Sequence, residues 1–198
     1  MLHSKMKDKQ GGFTLIELMF TVVVLAVLLA IGVPNFRDFL RSSRMTSAAN
    51  DFLTDVNLAR SESVKRRVAV TLCKSNDGAS CTTNAAVPLR RWIVFVDDAN
   101  FGAVDVGEPV LRDRTIATSV TPFAAGNRIV FQPSGFPLVE ADALTRILMC
   151  DERRSAISTG GVSAARGITV SATGRPSVTR EKSRIDTAVG SGGFGGCP

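Results

Sequence analysis

One long apolar segment lies near the start of the chain. The pattern after it is typical first of an amphipathic helix and then of strands. Residues 13–33 form a run of 21 positions in which Glu17 is the only charged side chain. At about 1.5 Å of rise per residue, a helix of this length reaches roughly 31 Å, the thickness of the hydrocarbon layer of a bilayer. The pattern therefore predicts a membrane-spanning half-helix over residues 13–34.

Two other interpretations of this segment compete with a retained membrane anchor. A buried core helix rarely stays apolar on every face over such a length. A cleaved secretory signal has an apolar core of about 7–15 residues and ends in a small-x-small site, whereas this run is longer and its site is poor. Lys5, Lys7 and Lys9 precede the run. Basic residues accumulate on the cytoplasmic side, so they favour a retained anchor with a cytoplasmic N-terminus.

After Pro34 the apolar residues recur every three or four positions, as on one face of a helix. The stripe consists of Phe36, Phe39, Leu40, Met45, Ala48, Phe52, Leu53, Val56, Ala59 and Val64. Charged residues fill the positions between them, which predicts an amphipathic half-helix over residues 35–66 with one face on a core. Because Pro34 removes a backbone donor, we expect a kink there, at the membrane surface.

Beyond Arg67 the hydrophobic period changes to two, which predicts strands. The predicted strands are 68–72, 92–96, 109–111, 128–131, 146–149 and 167–170. Turn sequences such as Asn76-Asp77-Gly78 separate them. We expect an α+β protein whose helix packs on an antiparallel β-domain over residues 67–198. Its Gly- and Ser-rich end would be mobile unless something fastens it.

The composition argues against an enzyme. The single histidine is His3, so the β-domain lacks the base of Ser-His-Asp and Cys-His sites and any histidine ligand for a metal. A membrane-tethered hydrolase would have to use paired acids such as Asp97-Asp98, but neighbours in an extended chain point to opposite faces. We therefore expect no catalytic residue, no metal and no cofactor.

The junction before the apolar segment resembles that of a type IV prepilin. A short basic leader ends in Gly12-Phe13, and Glu17 lies four residues after the phenylalanine. Four later segments are similar to the GspH/FimT group of minor pilins and pseudopilins: NLARSES (57–63), VTLC (70–73), WIVFVD (92–97) and VSATGR (170–175). The similarity covers most of the chain between Phe13 and Arg175.

This resemblance implies the type IV pilin fold and a defined maturation. The prepilin peptidase, a membrane aspartyl protease, would remove residues 1–12 by cutting between Gly12 and Phe13, and Phe13 would become the N-methylated terminus. Similar proteins use the glutamate at the position of Glu17 to pair with the terminal amine of a neighbouring subunit. A charged side chain near the bilayer centre costs about 2.5–3.5 kcal/mol, so it needs such a partner.

The function that follows from the resemblance is structural. We expect a minor pilin of a type IV pilus that helps to prime or assemble the fibre with other pilin subunits. It would be a single-pass inner-membrane protein with a periplasmic domain, later incorporated into the extracellular pilus. A pseudopilin of a type II secretion system shares the fold and is the alternative.

The cysteines, Cys73, Cys81, Cys150 and Cys197, all follow the anchor and would lie outside the cytoplasm, where disulfides persist. Four cysteines allow three pairings. We favour Cys73–Cys81, which closes a turn-rich loop, and Cys150–Cys197, which fastens the tail to the sheet. The chain has no closely spaced CxxC pair, so we do not expect a zinc site.

Positive charge is concentrated late in the chain, whose formal net charge is +6. Between residues 166 and 184, Glu181 is the only acid among five basic residues: Arg166, Arg175, Arg180, Lys182 and Arg184. A flexible basic segment suits the phosphates of double-stranded DNA, and contacts to phosphates carry no sequence information. These residues are the predicted sequence-independent DNA-binding site.

The resemblance supports this site in part. FimT-like minor pilins bind DNA through a C-terminal Gly-Arg-x-Arg motif during natural transformation. Gly174-Arg175 matches the first half of that motif, and Ser177 replaces its second arginine. A separate cluster, Lys65-Arg66-Arg67, is interpreted as structural, because cations stabilise the negative end of the helix dipole.

Overall fold

The computed structural model describes residues 12–84, 88–99, 102–157, 161–188 and 191–197. The long helix α1 spans Leu15–Arg66, and a short helix α2 spans Lys182–Asp186. The chain divides into two compact units, Met1–Leu40 and Arg41–Pro198.

Helix α1 begins with a capped turn. The hydroxyl of Thr14, the residue before the first helical one, accepts the backbone N–H of Glu17 at 3.2 Å. This bond satisfies one of the N–H groups that a helix start leaves unpaired. The helix then continues through Pro34. The kink at Pro34 stays a prediction.

The apolar half of α1 is long and apolar enough to cross a membrane by length and composition. Phe36 and Phe39 are also 61% and 66% exposed, so placing them on the core face was wrong. The buried face begins at Met45 and continues to Ser63.

Eight strands follow α1 in the described part of the chain. They are β1 Val70–Lys74, β2 Arg91–Val96, β3 Val110–Thr115, β4 Thr121–Ala125, β5 Arg128–Phe131, β6 Arg146–Cys150, β7 Arg166–Val170 and β8 Pro176–Thr179. They form two four-stranded sheets with the orders β3-β2-β1-β5 and β4-β6-β7-β8. All the pairings between these strands are antiparallel. The predicted α+β fold, a long helix packed on antiparallel sheets, is confirmed.

All of the predicted strands are present, and β4 and β8 were not predicted. Both contain proline, which weakens a strand signal, and both lie at an edge of their sheet, where a missing N–H is tolerated. The prediction of a flexible basic segment around Pro176 is wrong, because β8 pairs with β7 from Gly167↔Thr179 to Val170↔Pro176.

The main core lies between the second half of α1 and the two sheets. Phe52 and Val56 of α1 pack there with Trp92 of β2 and Ile147 of β6. The rings of Phe52 and Trp92 meet edge to face with centroids 5.4 Å apart. Each such buried side chain stabilises the fold by about 1.5–3 kcal/mol, so this face of α1 is held firmly.

The end of the chain is fastened to the second sheet. Phe194 is buried in a small cluster with Leu148, Ala165 and Ile185. A disulfide joins Cys150 to Cys197, and a second joins Cys73 to Cys81. Both pairings are those favoured from the sequence.

Candidate functional site

The N-terminal candidate site consists of Gly12, Phe13 and Glu17. A Cβ placed on Gly12 would meet no heavy atom of the described residues within 4 Å, and Phe13 is exposed. Packing of the described part of the chain therefore does not require a glycine at position 12. If the residue matters, the requirement comes from a partner that approaches the backbone closely.

Glu17 lies in the first turn of α1, where the helix dipole favours a negative charge. Its side chain stands among apolar ones, Ile16, Met19, Phe20 and Val23. Residues 13–33 contain no cation that could neutralise it. A positively charged partner would therefore have to come from outside this segment.

The structure separates the five basic residues of the predicted DNA site. Arg166 is only 3% exposed. Its guanidinium donates to the carbonyl oxygens of Ser163, Ala164 and Ala165 at 3.3, 2.8 and 3.2 Å, and to the hydroxyl of Thr46 at 3.3 Å.

Arg166 was therefore wrong as a DNA-binding residue. Its guanidinium is buried and ties the 163–165 segment to α1, so it cannot reach a phosphate. Burial lowers the pKa of Arg166 to about 10, and repulsion from Arg180 and Arg153 contributes to the same shift. The group stays charged at neutral pH, and the carbonyl oxygens compensate its burial.

The remaining four basic residues differ in how they are engaged. Lys182 forms an ion pair with Asp186 one turn later in α2. Arg180 is half-buried, and its carbonyl accepts the N–H of Ser163 at 2.9 Å. Arg184 is exposed and lines, with Arg146, a cavity of about 660 Å³ between the loop after β5 and the ends of β6 and β7. Arg175 is exposed as well.

Arg175 is held in position by a tight hairpin between β7 and β8. Its N–H donates to the hydroxyl of Ser171 at 3.1 Å, and its carbonyl accepts the N–H of Ser171 at 3.0 Å. Gly174 has φ +76°, and a Cβ there would lie 2.8 Å from the ring of Phe131. The fold therefore requires glycine at this position, and the next residue is presented to solvent on a rigid turn.

The acid pair considered for a hydrolase serves the loop after β2. Asp97 is buried and accepts the hydroxyl of Thr71 at 2.5 Å and the N–H of Gly102 at 2.7 Å. Burial raises the pKa of Asp97. Asp98 is exposed, so the two carboxylates do not face a common site. In the described part of the chain, no group of three or more His, Cys, Asp or Glu side chains is placed to hold a metal ion.

Asp55 is a key residue of the core, although its place in the sequence marks it only as a charged position between apolar ones. It is fully buried and accepts hydrogen bonds from Nε1 of Trp92 at 2.9 Å and Nε of Arg114 at 2.8 Å. The available signal was its spacing, because it follows Phe52 by three residues and precedes Ala59 by four. An acid on the buried face of a helix implies a buried donor.

These features define a pilin-like subunit: an apolar N-terminal helix with one acid in its first turn, whose second half is packed on antiparallel sheets. The model of the family described as type II transport protein GspH matches residues 48–174, and that of the prokaryotic N-terminal methylation motif matches residues 7–33. The first match covers more than half of the chain, which therefore belongs to the GspH family.

Individual relatives match smaller parts. Prepilin peptidase-dependent protein D of Escherichia coli K12 is 39% identical over 71 residues, which are 36% of this chain and 41% of that protein. Fimbrial protein EcpC of Eikenella corrodens is 42% identical over 45 residues, 23% of this chain and 29% of that one. The chain thus spans less than half the length of these curated relatives.

A solved structure of low identity shares the fold. A structure of the type IV minor pilin FimU of Pseudomonas aeruginosa superposes with a TM-score of 0.50 at 20% identity, covering 73% of this chain and 94% of that one. The minor pseudopilin EpsH of the Vibrio cholerae type 2 secretion system gives 0.45 at 10% identity, with 69% and 97% covered. Membership of the family supports a minor pilin or pseudopilin role, in a type IV pilus or in type II secretion.

Proposed function

We propose that the protein is a minor pilin of a type IV pilus, anchored in the inner membrane by residues 13–34 with its β-domain in the periplasm. It acts by assembling with other pilin subunits and without catalytic chemistry. The observation that carries the assembly role is the N-terminal site, where Glu17 is the only charge of a membrane-length segment and lies four residues after Phe13.

Cleavage before Phe13 creates the partner that Glu17 lacks. The new amine is positive, and methylation keeps that charge. In a bundle of such helices, the amine of one subunit lies against the carboxylate of a neighbour, and the pair is sheltered from water. Electrostatic attraction is stronger in that medium, which makes the pair a register device for stacking helices.

A pseudopilin of a type II secretion system is the alternative. It is favoured by the description of the family whose model matches residues 48–174, type II transport protein GspH. The apolar helix and the acid in its first turn serve both roles equally.

Sequence-independent binding of double-stranded DNA is a second candidate function, as in natural transformation. The observation in its favour is Arg175, which is exposed on a rigid hairpin directly after Gly174. Arg184 is the other exposed basic residue of the predicted site. Lys182 contributes less, because Asp186 already neutralises it.

The proposal is tested by Gly12→Val, with Gly32→Val as the matched control. Neither glycine has a heavy atom within 4 Å of a built Cβ, so neither change disturbs the packing of the described chain. We expect Gly12→Val to stay unprocessed, because a branched side chain blocks close approach of the peptidase, and Gly32→Val to mature normally. Mass spectrometry of membrane and sheared pilus fractions gives the readout.

Mature protein that begins at Phe13 in the pilus fraction would support the proposal. A mature chain that begins at another residue would remove the prepilin assignment. Mature chain confined to the membrane of piliated cells would favour the secretion pseudopilin.

A further inference from the structure

Three segments distant in sequence meet at the C-terminal end of α1. A Cβ built on Gly135, in the turn after β5, would lie 2.8 Å from Val64 and 3.7 Å from Nε of Arg60. A Cβ built on Gly174 would lie 3.4 Å from the carbonyl oxygen of Gly135. The turn after β5 is therefore sandwiched between the last turns of α1 and the hairpin that carries Arg175.

The charges of these three segments are almost all positive. Glu62 is the only acid in residues 60–67, 131–137 and 171–175. It is already engaged by Lys65 at 3.2 Å and by Arg66 at 2.6 Å. The two pairs lower the pKa of Glu62, so it stays ionised and holds both cations.

Three arginines of this end have no such partner. Within the described residues, no carboxylate lies within ion-pair distance of Arg60, Arg67 or Arg175. Arg67 and Arg175 are exposed, and Arg60 is partly exposed. Arg67 follows the last residue of α1 with φ +61° and donates its N–H to the carbonyl of Ser63 at 2.9 Å, so its backbone is fixed as well.

We propose that Arg60, Arg67 and Arg175 form one surface, the helix-end surface, that binds the phosphate backbone of duplex DNA. This inference rests on the second candidate function above and relocates its site. The DNA-contacting residues extend from the hairpin across Gly135 to the end of α1, instead of along residues 166–184. The cluster Lys65-Arg66-Arg67 is thus divided. Lys65 and Arg66 form ion pairs with Glu62, and Arg67 contacts the ligand.

The chemistry of the surface suits the closely spaced phosphates of a duplex. All three unpaired cations are arginines, whose planar guanidinium presents paired donors that match a phosphate or a carboxylate, unlike the single ammonium of lysine. A duplex backbone presents such anions in a continuous row, which a surface with several arginines can contact at more than one point. Nothing in the three segments offers a base-reading constellation, so the binding is independent of sequence. Phe136 is 50% exposed in the same turn and is the residue on which an unpaired base would stack if the ligand were single-stranded.

The test uses the full mature chain in detergent micelles and a fluorescent duplex of arbitrary sequence, titrated between about 50 and 200 mM salt. Each phosphate contact contributes about −0.9 to the log–log salt slope. We expect Arg60→Gln with Arg67→Gln to flatten the slope by about 1.8 and to weaken binding on the order of tenfold at low salt. Arg175→Gln should flatten it by about 0.9.

The matched control is Arg44→Gln with Arg154→Gln, which removes the same charge from exposed arginines elsewhere. This control should leave the salt slope unchanged. If it flattened the slope as much as Arg60→Gln with Arg67→Gln does, binding would depend on net charge alone and the proposal would be overturned. Arg60→Lys with Arg67→Lys keeps both positive charges, and with them the release of counterions, so it separates loss of charge from loss of folding. We expect the wild-type salt slope for this variant, and a flattened slope in the folded variant would contradict the proposal.

Three further outcomes separate this inference from the function on which it rests. No binding by the wild-type protein at low salt ends the DNA function altogether. If Arg175→Gln weakens binding but Arg60→Gln with Arg67→Gln leaves it unchanged, the helix-end surface is rejected and the DNA function stands. The protein could instead bind single-stranded DNA more tightly than the duplex. If Phe136→Ala abolishes that tighter binding, single-stranded DNA replaces the duplex as the ligand.

Discussion

At the scale of single residues, Asp55 controls how α1 is attached to the first sheet. Its carboxylate is fully buried and receives Trp92 from β2 and Arg114 from β3. Asp51, one turn earlier, also pairs with Arg114 at 3.1 Å, but it is 46% exposed. The same arginine therefore binds two acids of very different solvation.

The two acids predict different costs of removal. Asp55→Ala should lower the free energy of unfolding by about 3 kcal/mol, because it leaves the buried indole N–H of Trp92 with no acceptor and leaves Arg114 with only the exposed Asp51 as an ion-pair partner. Asp51→Ala should cost less than about 1 kcal/mol, since water screens an exposed pair. Urea unfolding of both variants measures the difference, and similar midpoints for the two would contradict this account.

Arg166 and Asp55 show why part of the site could not be predicted. The sequence supplies residue types and spacings, and a count of basic residues treats a buried arginine like an exposed one. Only the hydrogen bonds of its guanidinium to the carbonyls of residues 163–165 and to the hydroxyl of Thr46 show that Arg166 lies in the interior. Gly12, Phe13 and Glu17 lie within six consecutive residues, so the sequence alone places them together, and their role as a site stays a prediction.

At the scale of elements, the end of the chain depends on one long-range disulfide. Cys150–Cys197 joins residues 47 apart in sequence, whereas Cys73–Cys81 joins residues 8 apart. Phe194 and Ile185 share the cluster beside it. Strands β4 and β8 were missed for a related reason, since proline at an edge position is acceptable only once the rest of the sheet defines that edge.

The two disulfides predict unequal losses of stability. A cross-link constrains the unfolded chain more when its loop is longer, so Cys150→Ser with Cys197→Ser should cost about 4 kcal/mol and Cys73→Ser with Cys81→Ser about 2.5 kcal/mol. Denaturant unfolding of the oxidised variants gives both values. Limited proteolysis should cut the tail first in the former variant, and resistance equal to wild type would show that Phe194 alone holds it.

At the scale of the whole molecule, the chain has two units with opposite surface properties. The unit Met1–Leu40 contains the membrane-length apolar segment, and the unit Arg41–Pro198 contains the core and both disulfides. The apolar side chains of residues 13–33 are exposed in the described part of the first unit, so lipid or neighbouring helices would cover them in the proposed assembly. In that assembly, we expect the single acid of the segment to determine how the subunits stack.

Glu17→Gln tests this role of the acid. Glutamine keeps the size of the side chain and suits the same position of a capping box, so α1 should start normally and processing before Phe13 should continue. Only the attraction to the amine of a neighbour is removed. A charge-assisted hydrogen bond is worth about 2 kcal/mol, so incorporation into fibres should fall about thirtyfold, with an unchanged amount of mature protein in the membrane.

The comparison with Glu17→Asp makes that result specific to charge. Aspartate restores the negative charge on a shorter side chain, so we expect partial recovery of incorporation, measured by immunoblot of sheared fibres against the membrane fraction. Normal incorporation of Glu17→Gln would show that the helices find their register through apolar packing. The acid would then be an interfacial carboxylate at the start of a helix, favoured there by the dipole alone.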